Sequence, residues 1–358
     1  MKILFVYMYA TFGGVERVLL NRFDALYDHY NGELKTDLLF LWDSGALNSF
    51  KESLRSSSKA FLWDVDFKKK DIYAYDMVSI VDSPCFYENV KKYQGVLCLE
   101  CHTLYKKNRI ETFSDVPENI SFIIVPSQYQ KQLVIKENPN LAKNDNVFIL
   151  PNFVPDDFYD INEPARLPDW NCRPIAFFHR LDALKNYIEA IDIFCGQEKL
   201  GEQEIILCLS GKIDNDIKTT LKYLYEFAGE QFYYLPRIHF SQMPKCLYYI
   251  RKKAGIFLST STAESFGMSV AEAMSVGLPV LLSNIEPHRE LVEDNDKYLY
   301  RLGDVADGVA KLHNLLADEY ERLSNEVKAL SVKFQKRAFL NAWDNLVANI
   351  HRYGGVAL

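Results

Sequence analysis

Ser259-Thr260-Ser261-Thr262-Ala263-Glu264-Ser265-Phe266-Gly267-Met268-Ser269-Val270-Ala271-Glu272-Ala273-Met274-Ser275-Val276-Gly277-Leu278-Pro279-Val280-Leu281-Leu282 is the stretch that decides the fold. It follows Ala254 to Leu258, a short apolar run of strand length. The Ser/Thr/Glu/Ser segment is a polar loop able to cap a helix. Met268 to Val276 has helix length, with Gly277 at the stop and Pro279 just beyond. Val280 to Leu282 opens another strand. The helix would therefore start just past the C-terminal end of a buried strand. Open α/β sheets bind ligands there, and helix amides favour anions there. Glu264 in the loop and Glu272 just over a turn into the helix bring two carboxylates to this end.

The same alternation extends outward in both directions. Met1 to Met8 predicts a strand, Gly13-Gly14 a tight turn, and Val15 to Phe23 has helical spacing. The glycine pair would let a ligand approach the backbone, but the full G-x-G-x-x-G dinucleotide fingerprint is missing. Further strands are expected at Asp37 to Leu41, Asp76 to Val81, Val96 to Leu99, Ser121 to Val125 and Val147 to Leu150. His102 falls just past the Val96 strand. Pro151-Asn152-Phe153-Val154-Pro155, running on to Pro164, Pro168 and Pro174, reads as a linker. After it come strands at Ile175 to Phe178, Ile205 to Leu209, Phe232 to Tyr234 and Tyr298 to Tyr300, then amphipathic helices to the C-terminus. Strands alternating with helices imply parallel sheets, and 358 residues favour two domains.

Composition narrows the function class. At 48% hydrophobic and 25% charged residues, the chain has apolar material for two ordinary cores. A net charge of −7 argues against a nucleic-acid partner. The basic clusters Lys68-Lys69-Lys70, Lys91-Lys92 and Lys106-Lys107 with Arg109 read as solvated surface, or as a peripheral contact with anionic lipid head groups. No apolar run reaches the length of a membrane span. Ile3 to Tyr9 is too short for a secretory h-region and runs into the Gly-Gly turn. Seven cysteines scattered through apolar segments suit reduced, mostly buried thiols. A cytoplasmic protein is expected.

The string Glu264-Ser265-Phe266-Gly267-Met268-Ser269, with Glu272-Ala273-Met274 and Gly277-x-Pro279-Val280, resembles the signature of family-4 glycosyltransferases. These are retaining enzymes of the two-Rossmann-domain GT-B type. Other segments are similar to the family in the same order. Gly13-Gly14-Val15-Glu16 resembles its first-domain Gly-rich loop. His102 sits where an active-site His is often found. Val125-Pro126-Ser127 and Pro151-Asn152-Phe153-Val154 resemble its later first-domain and linker signatures, and Arg180 and Lys185 its second-domain basic pair.

The resemblance implies an α/β fold of two Rossmann-like domains whose parallel sheets face a central crevice. Residues 1–153 would form the acceptor-side domain and 154–338 the nucleotide-sugar domain, with the helix 339–358 packing back on the first. It implies sugar transfer from a UDP- or GDP-sugar to a glycan, lipid-linked or other hydroxyl acceptor, in surface-polysaccharide or glycoconjugate synthesis. No metal or other cofactor is implied. Arg180 and Lys185 would meet the diphosphate oxygens, and the Gly267 and Met268 amides would add fixed dipoles. Glu272 would bind ribose hydroxyls, Glu264 sugar hydroxyls, and His102 would approach the sugar from the first domain. Gly13, Gly14, Ser210, Gly211, Ser265 and Phe266 would line the donor. The carboxylates are then a binding clamp, unlike the acid and nucleophile of a glycoside hydrolase. Two departures stand out: His179 occupies a position where the family usually has Gly, and Ser210-Gly211-Lys212 lacks the usual acidic or second-Gly character.

Other matches carry less. Cys98-x-x-Cys101-His102 fits the haem c attachment motif, yet a strand running into a loop explains it. No second Cys/His pair follows at zinc spacing. Asp64-Val65-Asp66, Asp214-Asn215-Asp216 and Asp294-Asn295-Asp296 resemble a metal-binding D-x-D, and three copies in one chain argue for ordinary acidic surface. Two rival functions remain: a non-catalytic GT-B sugar-binding or stabilising subunit, and a GT-B nucleotide-sugar epimerase. The subunit would commonly lose a site carboxylate or the basic pair, which this chain keeps. The epimerase would need acid/base residues beyond His102.

Overall fold

The computed structural model describes residues 1–358 apart from Phe12, Ser57, 68–70, Asn144, 199–203, 212–216, Glu230, 236–237 and 355–358. Lys68-Lys69-Lys70, Lys212 and Asp214-Asn215-Asp216 lie outside the described residues. The chain divides into two compact units, Met1–Phe153 with Lys336–Leu358, and Val154–Gln335.

The first unit is a seven-stranded parallel sheet. Its strands are β1 (Lys2–Ala10), β2 (Lys35–Asp43), β3 (Lys59–Leu62), β4 (Met77–Val81), β5 (Val96–Glu100), β6 (Phe122–Val125) and β7 (Val147–Ile149), in the order β3-β2-β1-β4-β5-β6-β7. The strands are almost wholly apolar because both faces are covered. Successive residues of β1 feed opposite cores: Ile3 and Phe5 enter one cluster, Leu4 and Val6 the other. Helix α1 (Gly14–His29) covers the first face. The C-terminal helix Lys336–Gly354 joins it there. Phe339, Trp343, Leu346, Val347 and Ile350 recur at helical spacing and are all at most 5% exposed. β3 is absent from the sequence expectation; its four residues, Lys-Ala-Phe-Leu, are too short to carry a period.

The second unit is a six-stranded parallel sheet built from β8 (Arg173–Phe178), β9 (Ile205–Ser210), β10 (Phe232–Leu235), β11 (Ile256–Ser259), β12 (Val280–Ser283) and β13 (Leu299–Tyr300). Their order is β10-β9-β8-β11-β12-β13. Helix α2 (Tyr187–Glu198) follows β8, and helix α3 (Met268–Ser275) follows β11. Both sheets are doubly wound, the two Rossmann-like folds expected. In such a sheet the order reverses beside the first strand, and the loops leaving the two strands there diverge. The reversal lies between β1 and β4 in the first unit and between β8 and β11 in the second. Among the described residues no helix is long and apolar enough to cross a membrane.

Candidate functional site

In the second unit the loops after β8 and β11 are laced together. Thr260 donates its hydroxyl to the carbonyls of Lys185 and Asn186 at 3.0 and 2.8 Å, and Thr262 donates its N–H to Leu184 at 2.9 Å. This lacing joins side chains 79 residues apart in sequence. The Lys185 ammonium donates to Glu264 Oε1, which also accepts from the Ser261 hydroxyl at 2.9 Å. Burial alone would push the Glu264 carboxyl up. The Lys185 charge outweighs it and holds the group at about 2. Glu264 is therefore a permanent anion whose compensating cation is already in place.

Arg180 behaves differently. Its Nε donates to Asp182 Oδ2 at 2.7 Å, and its side chain is 48% exposed. Asp182 also accepts the Lys185 N–H at 2.9 Å, so it shapes the loop between the two cations. The structure thus separates the two basic residues: Lys185 is enclosed against a carboxylate and Arg180 reaches into solvent.

Two histidines close the cluster. His179 contacts Ser269 Oγ through Nδ1 at 3.2 Å, while its Nε2 is buried with no hydrogen-bond partner. Burial and the nearby Lys185 charge depress it to about 3, so it is a neutral ring. His288 donates from Nδ1 to the Ser283 carbonyl at 2.9 Å and is depressed by burial to about 4. Ser283 in turn donates to the Ser261 carbonyl at 2.6 Å.

Backbone geometry explains two of the glycines. Gly267 caps α3 with φ +95, and a Cβ there would press on Leu291 at 3.1 Å. Gly211 has φ +151, and its Cβ would fall 1.8 Å from the His179 carbonyl oxygen. Only glycine meets both demands. Ser210 ends β9 beside it, 3% exposed. Met268 opens α3, Glu272 is buried within it, and Phe266 packs edge-on against Phe334 at 5.6 Å. Ser265 is half-buried in the loop between Glu264 and Phe266. Glu264, Lys185, Ser265, Phe266, Gly267, Met268 and Glu272 thus share the β8/β11 end of one sheet.

In the first unit His102 follows β5. Its N–H donates to Asp82 at 3.1 Å, and its Nε2 lies 3.1 Å from Glu100 Oε2. Glu100 is fully buried and accepts from Arg22 at 2.6 Å and Ser79 at 2.7 Å. Arg22 continues to the Leu150 carbonyl at 3.0 Å. Burial pushes Glu100 up, but Arg22 and His102 overcome it and hold it at about 2. Asp82 is raised to about 6 by burial. Gly13 and Gly14 are exposed at the start of α1. Glu16 accepts from the Gly13 N–H at 2.9 Å and from the Thr11 N–H at 2.7 Å, which fixes their loop.

Sequence reasoning missed Glu100, Arg22, Asp82, Ser261 and His288. Glu100 did leave a signal, because a carboxylate inside Val-Leu-Cys-Leu-Glu must be paired if the strand is buried. All seven cysteines are free thiols. Cys98 and Cys101 are fully buried in their cores, which accounts for the haem-like string without a haem. Among the described residues, no group of three or more His, Cys, Asp or Glu is placed to hold a metal ion.

Comparison with known proteins agrees with this fold. Residues 171–330 match the family model of the glycosyl transferases group 1. Sucrose synthase from Nitrosomonas europaea is 27% identical over 176 residues, 45% of this chain. The matched stretch spans 22% of that relative's own length. Among solved structures, Anabaena Alr3699/HepE in complex with UDP and glucose superposes with a TM-score of 0.77. The identity is 16%, over 98% of this chain and 100% of that one. Sucrose-phosphate synthase from Thermosynechococcus elongatus gives 0.73 at 15% identity, over 98% and 99% of the chains.

Proposed function

We propose that this chain, a GT-B protein whose second unit carries the glycosyl transferases group 1 domain, is a retaining, metal-independent glycosyltransferase. It moves a sugar from a nucleotide-sugar donor to a glycan, lipid-linked or other hydroxyl acceptor, on the cytoplasmic side of a membrane and in glycoconjugate synthesis. The observation that carries the reading is the Lys185–Glu264 pair held at the start of α3 beside the glycine-capped turn at Gly267. UDP is the favoured nucleotide, since UDP and UDP-glucose occupy the Anabaena structures.

The roles follow from position. Arg180, half in solvent, and the α3 amides suit diphosphate oxygens. Lys185 either shares its charge with the diphosphate or holds Glu264 for the sugar hydroxyls. Glu272, buried one turn into α3, suits the ribose hydroxyls. Ser210 and Gly211 of the second unit and Gly13 and Gly14 of the first are assigned to donor binding. His102 acts on the sugar, its tautomer set by Glu100. Retention would come from same-face attack assisted by the leaving phosphate.

The test is UDP binding followed by thermal shift, in the unaltered protein and in Glu272→Ala. The variant should fold and lose at least tenfold in UDP affinity, about 1.4 kcal/mol. An unchanged shift would remove Glu272 from the site. Release of free UDP from a UDP-sugar must then depend on acceptor and survive EDTA. Acceptor-independent turnover, or none, would favour the epimerase or the non-catalytic subunit.

A further inference from the structure

In the first unit β1 and β2 outrun their neighbours. The last β1–β4 pair is Tyr7 with Val81, and the last β2–β3 pair is Phe40 with Leu62. Beyond those points β1 and β2 continue together through Tyr9–Trp42 and Ala10–Asp43. This two-strand tongue projects from the ligand-binding edge of the sheet. On it Tyr9 and Trp42 are 44% and 48% exposed, with ring centroids 5.4 Å apart and planes inclined by 31°. Trp42 alone of the four tryptophans is exposed; Trp170 and Trp343 are buried and Trp63 half-buried.

Single exposed aromatics are ordinary. A paired display on a braced backbone is a different matter. Glu16 ties the loop after β1 through the Thr11 and Gly13 amides. Asp43 Oδ1 ties the loop after β2 by accepting from the N–H groups of Gly45, Ala46 and Leu47 at 2.8, 3.1 and 3.2 Å. Ser44 N–H donates across the tongue to the Ala10 carbonyl at 3.2 Å. The rings are therefore held ready, and a ligand would spend little free energy ordering them.

We propose that Tyr9 and Trp42 form a stacking platform for a neutral pyranose ring of the acceptor. The proposal rests on the glycosyltransferase reading and names the chemistry of its acceptor side. A pyranose presents an apolar face of C–H groups and a rim of hydroxyls. The negative face of an aromatic ring attracts that C–H face while the rim stays in water. Asp43, exposed and next to Trp42, carries a carboxylate that disfavours an anionic sugar or an acidic phospholipid. Position sets the role. Strands neighbour one another in the order β2, β1, β4, β5, and His102 follows β5. At about 4.8 Å per strand, Tyr9 stands roughly 10 Å from the His102 strand. The platform holds a sugar removed from the reacting hydroxyl, so the acceptor is an oligosaccharide.

The test titrates the full chain with maltohexaose, cellohexaose, chitohexaose and mannohexaose, read by tryptophan emission and by calorimetry. At least one should shift the emission, and its monosaccharide should bind more weakly. Trp42→Ala should weaken that binding about tenfold, Tyr9→Ala less, and Trp42→Phe least. All three variants should keep the UDP-induced thermal shift of the unaltered protein. No response to any hexasaccharide, with UDP binding intact, overturns the platform and leaves the transferase reading standing. Absence of binding to both UDP and GDP in the unaltered protein overturns the transferase reading itself. Lost cosedimentation of Trp42→Ala with phosphatidylglycerol vesicles, with oligosaccharide binding unchanged, assigns the rings to a membrane surface and overturns the proposal.

Discussion

The second unit gathers a lysine, a glutamate and two histidines from the loops after β8 and β11 and from the helix Glu286–Val292 that follows β12 into one enclosed cluster. The first unit ends its sheet in the opposite manner. Among its buried charges, Arg22 and Glu100 come from a helix and a strand and lie beneath the loops. Toward solvent this edge turns Gly13, Gly14, Tyr9 and Trp42, alongside the exposed Asp43, Lys106 and Lys107. Fixed charge and close-packed glycine suit a ligand of constant structure, such as a nucleotide diphosphate. Exposed rings and open glycines suit a ligand whose shape varies and whose charge is small. Two sheets of one design thus end in differently finished edges.

The sharpest way to break this comparison is to give each unit a methyl group it lacks. Gly211→Ala puts a Cβ 1.8 Å from the His179 carbonyl, at φ +151. The loops after β8 and β9 must separate, at a cost of roughly 3 kcal/mol or more. Denaturant unfolding should register the loss, and UDP binding should vanish with it. Gly14→Ala meets nothing within 4 Å. It should change stability by less than about 0.5 kcal/mol. Equal effects would mean that the second unit's loops are no more tightly packed than the first's.

A second pair of variants separates the two basic residues. Lys185→Met leaves Glu264 buried without its cation, which should cost about 3–5 kcal/mol. Adding Glu264→Gln should recover much of that loss, because the uncompensated charge goes with it. Arg180→Met breaks an ion pair whose arginine is 48% exposed. It should cost less than about 1 kcal/mol and still weaken UDP binding. Calorimetric affinity and denaturant midpoint, measured on all three, distinguish a structural cation from a ligand-facing one. A stable Lys185→Met would place the Lys185–Glu264 pair in water.

The contrast between the units also explains what the sequence disclosed. The alternation of strands and helices is local, and so are the capping glycine and the proline after α3; these were legible. Partners were not. Arg22 finds Glu100 78 residues away, and Lys185 finds Glu264 79 residues away. Nothing in the spacing of either chain segment encodes those contacts. Arg180 and Lys185 read as a basic pair because they share a loop, but Asp182 between them sends one outward and the other inward. Tyr9 and Trp42 were invisible as a pair, since only the β1–β2 register sets them side by side.

The most direct measure of the difference in buried charge is the response to mild acid. His179 and His288 are depressed to about 3 and about 4, chiefly by burial. In an unfolded chain they titrate near 6.5. As pH falls from 6.5 toward 4, the unfolded chain takes up protons that the folded second unit refuses, and its stability falls. Glu264 and Glu100, both at about 2, lose their contributions only below about 4.5 and are silent in this window. Asp82 acts with the opposite sign. Its folded form, raised to about 6, holds a proton that the unfolded form releases near 3.8. The first unit therefore gains from Asp82 as pH falls through 6. Between pH 7 and 5 the second unit should lose roughly 5 kcal/mol relative to the first, about 2 from each histidine and about 1 from Asp82. Amide exchange, corrected for intrinsic rates, should show protection falling in β8, β11 and β12 while β1 and β4 hold. His288→Asn keeps a donor for the Ser283 carbonyl and removes the titration, so it should flatten part of the decline. If both units lose protection together, or the first yields earlier, the buried histidines do not set the acid response.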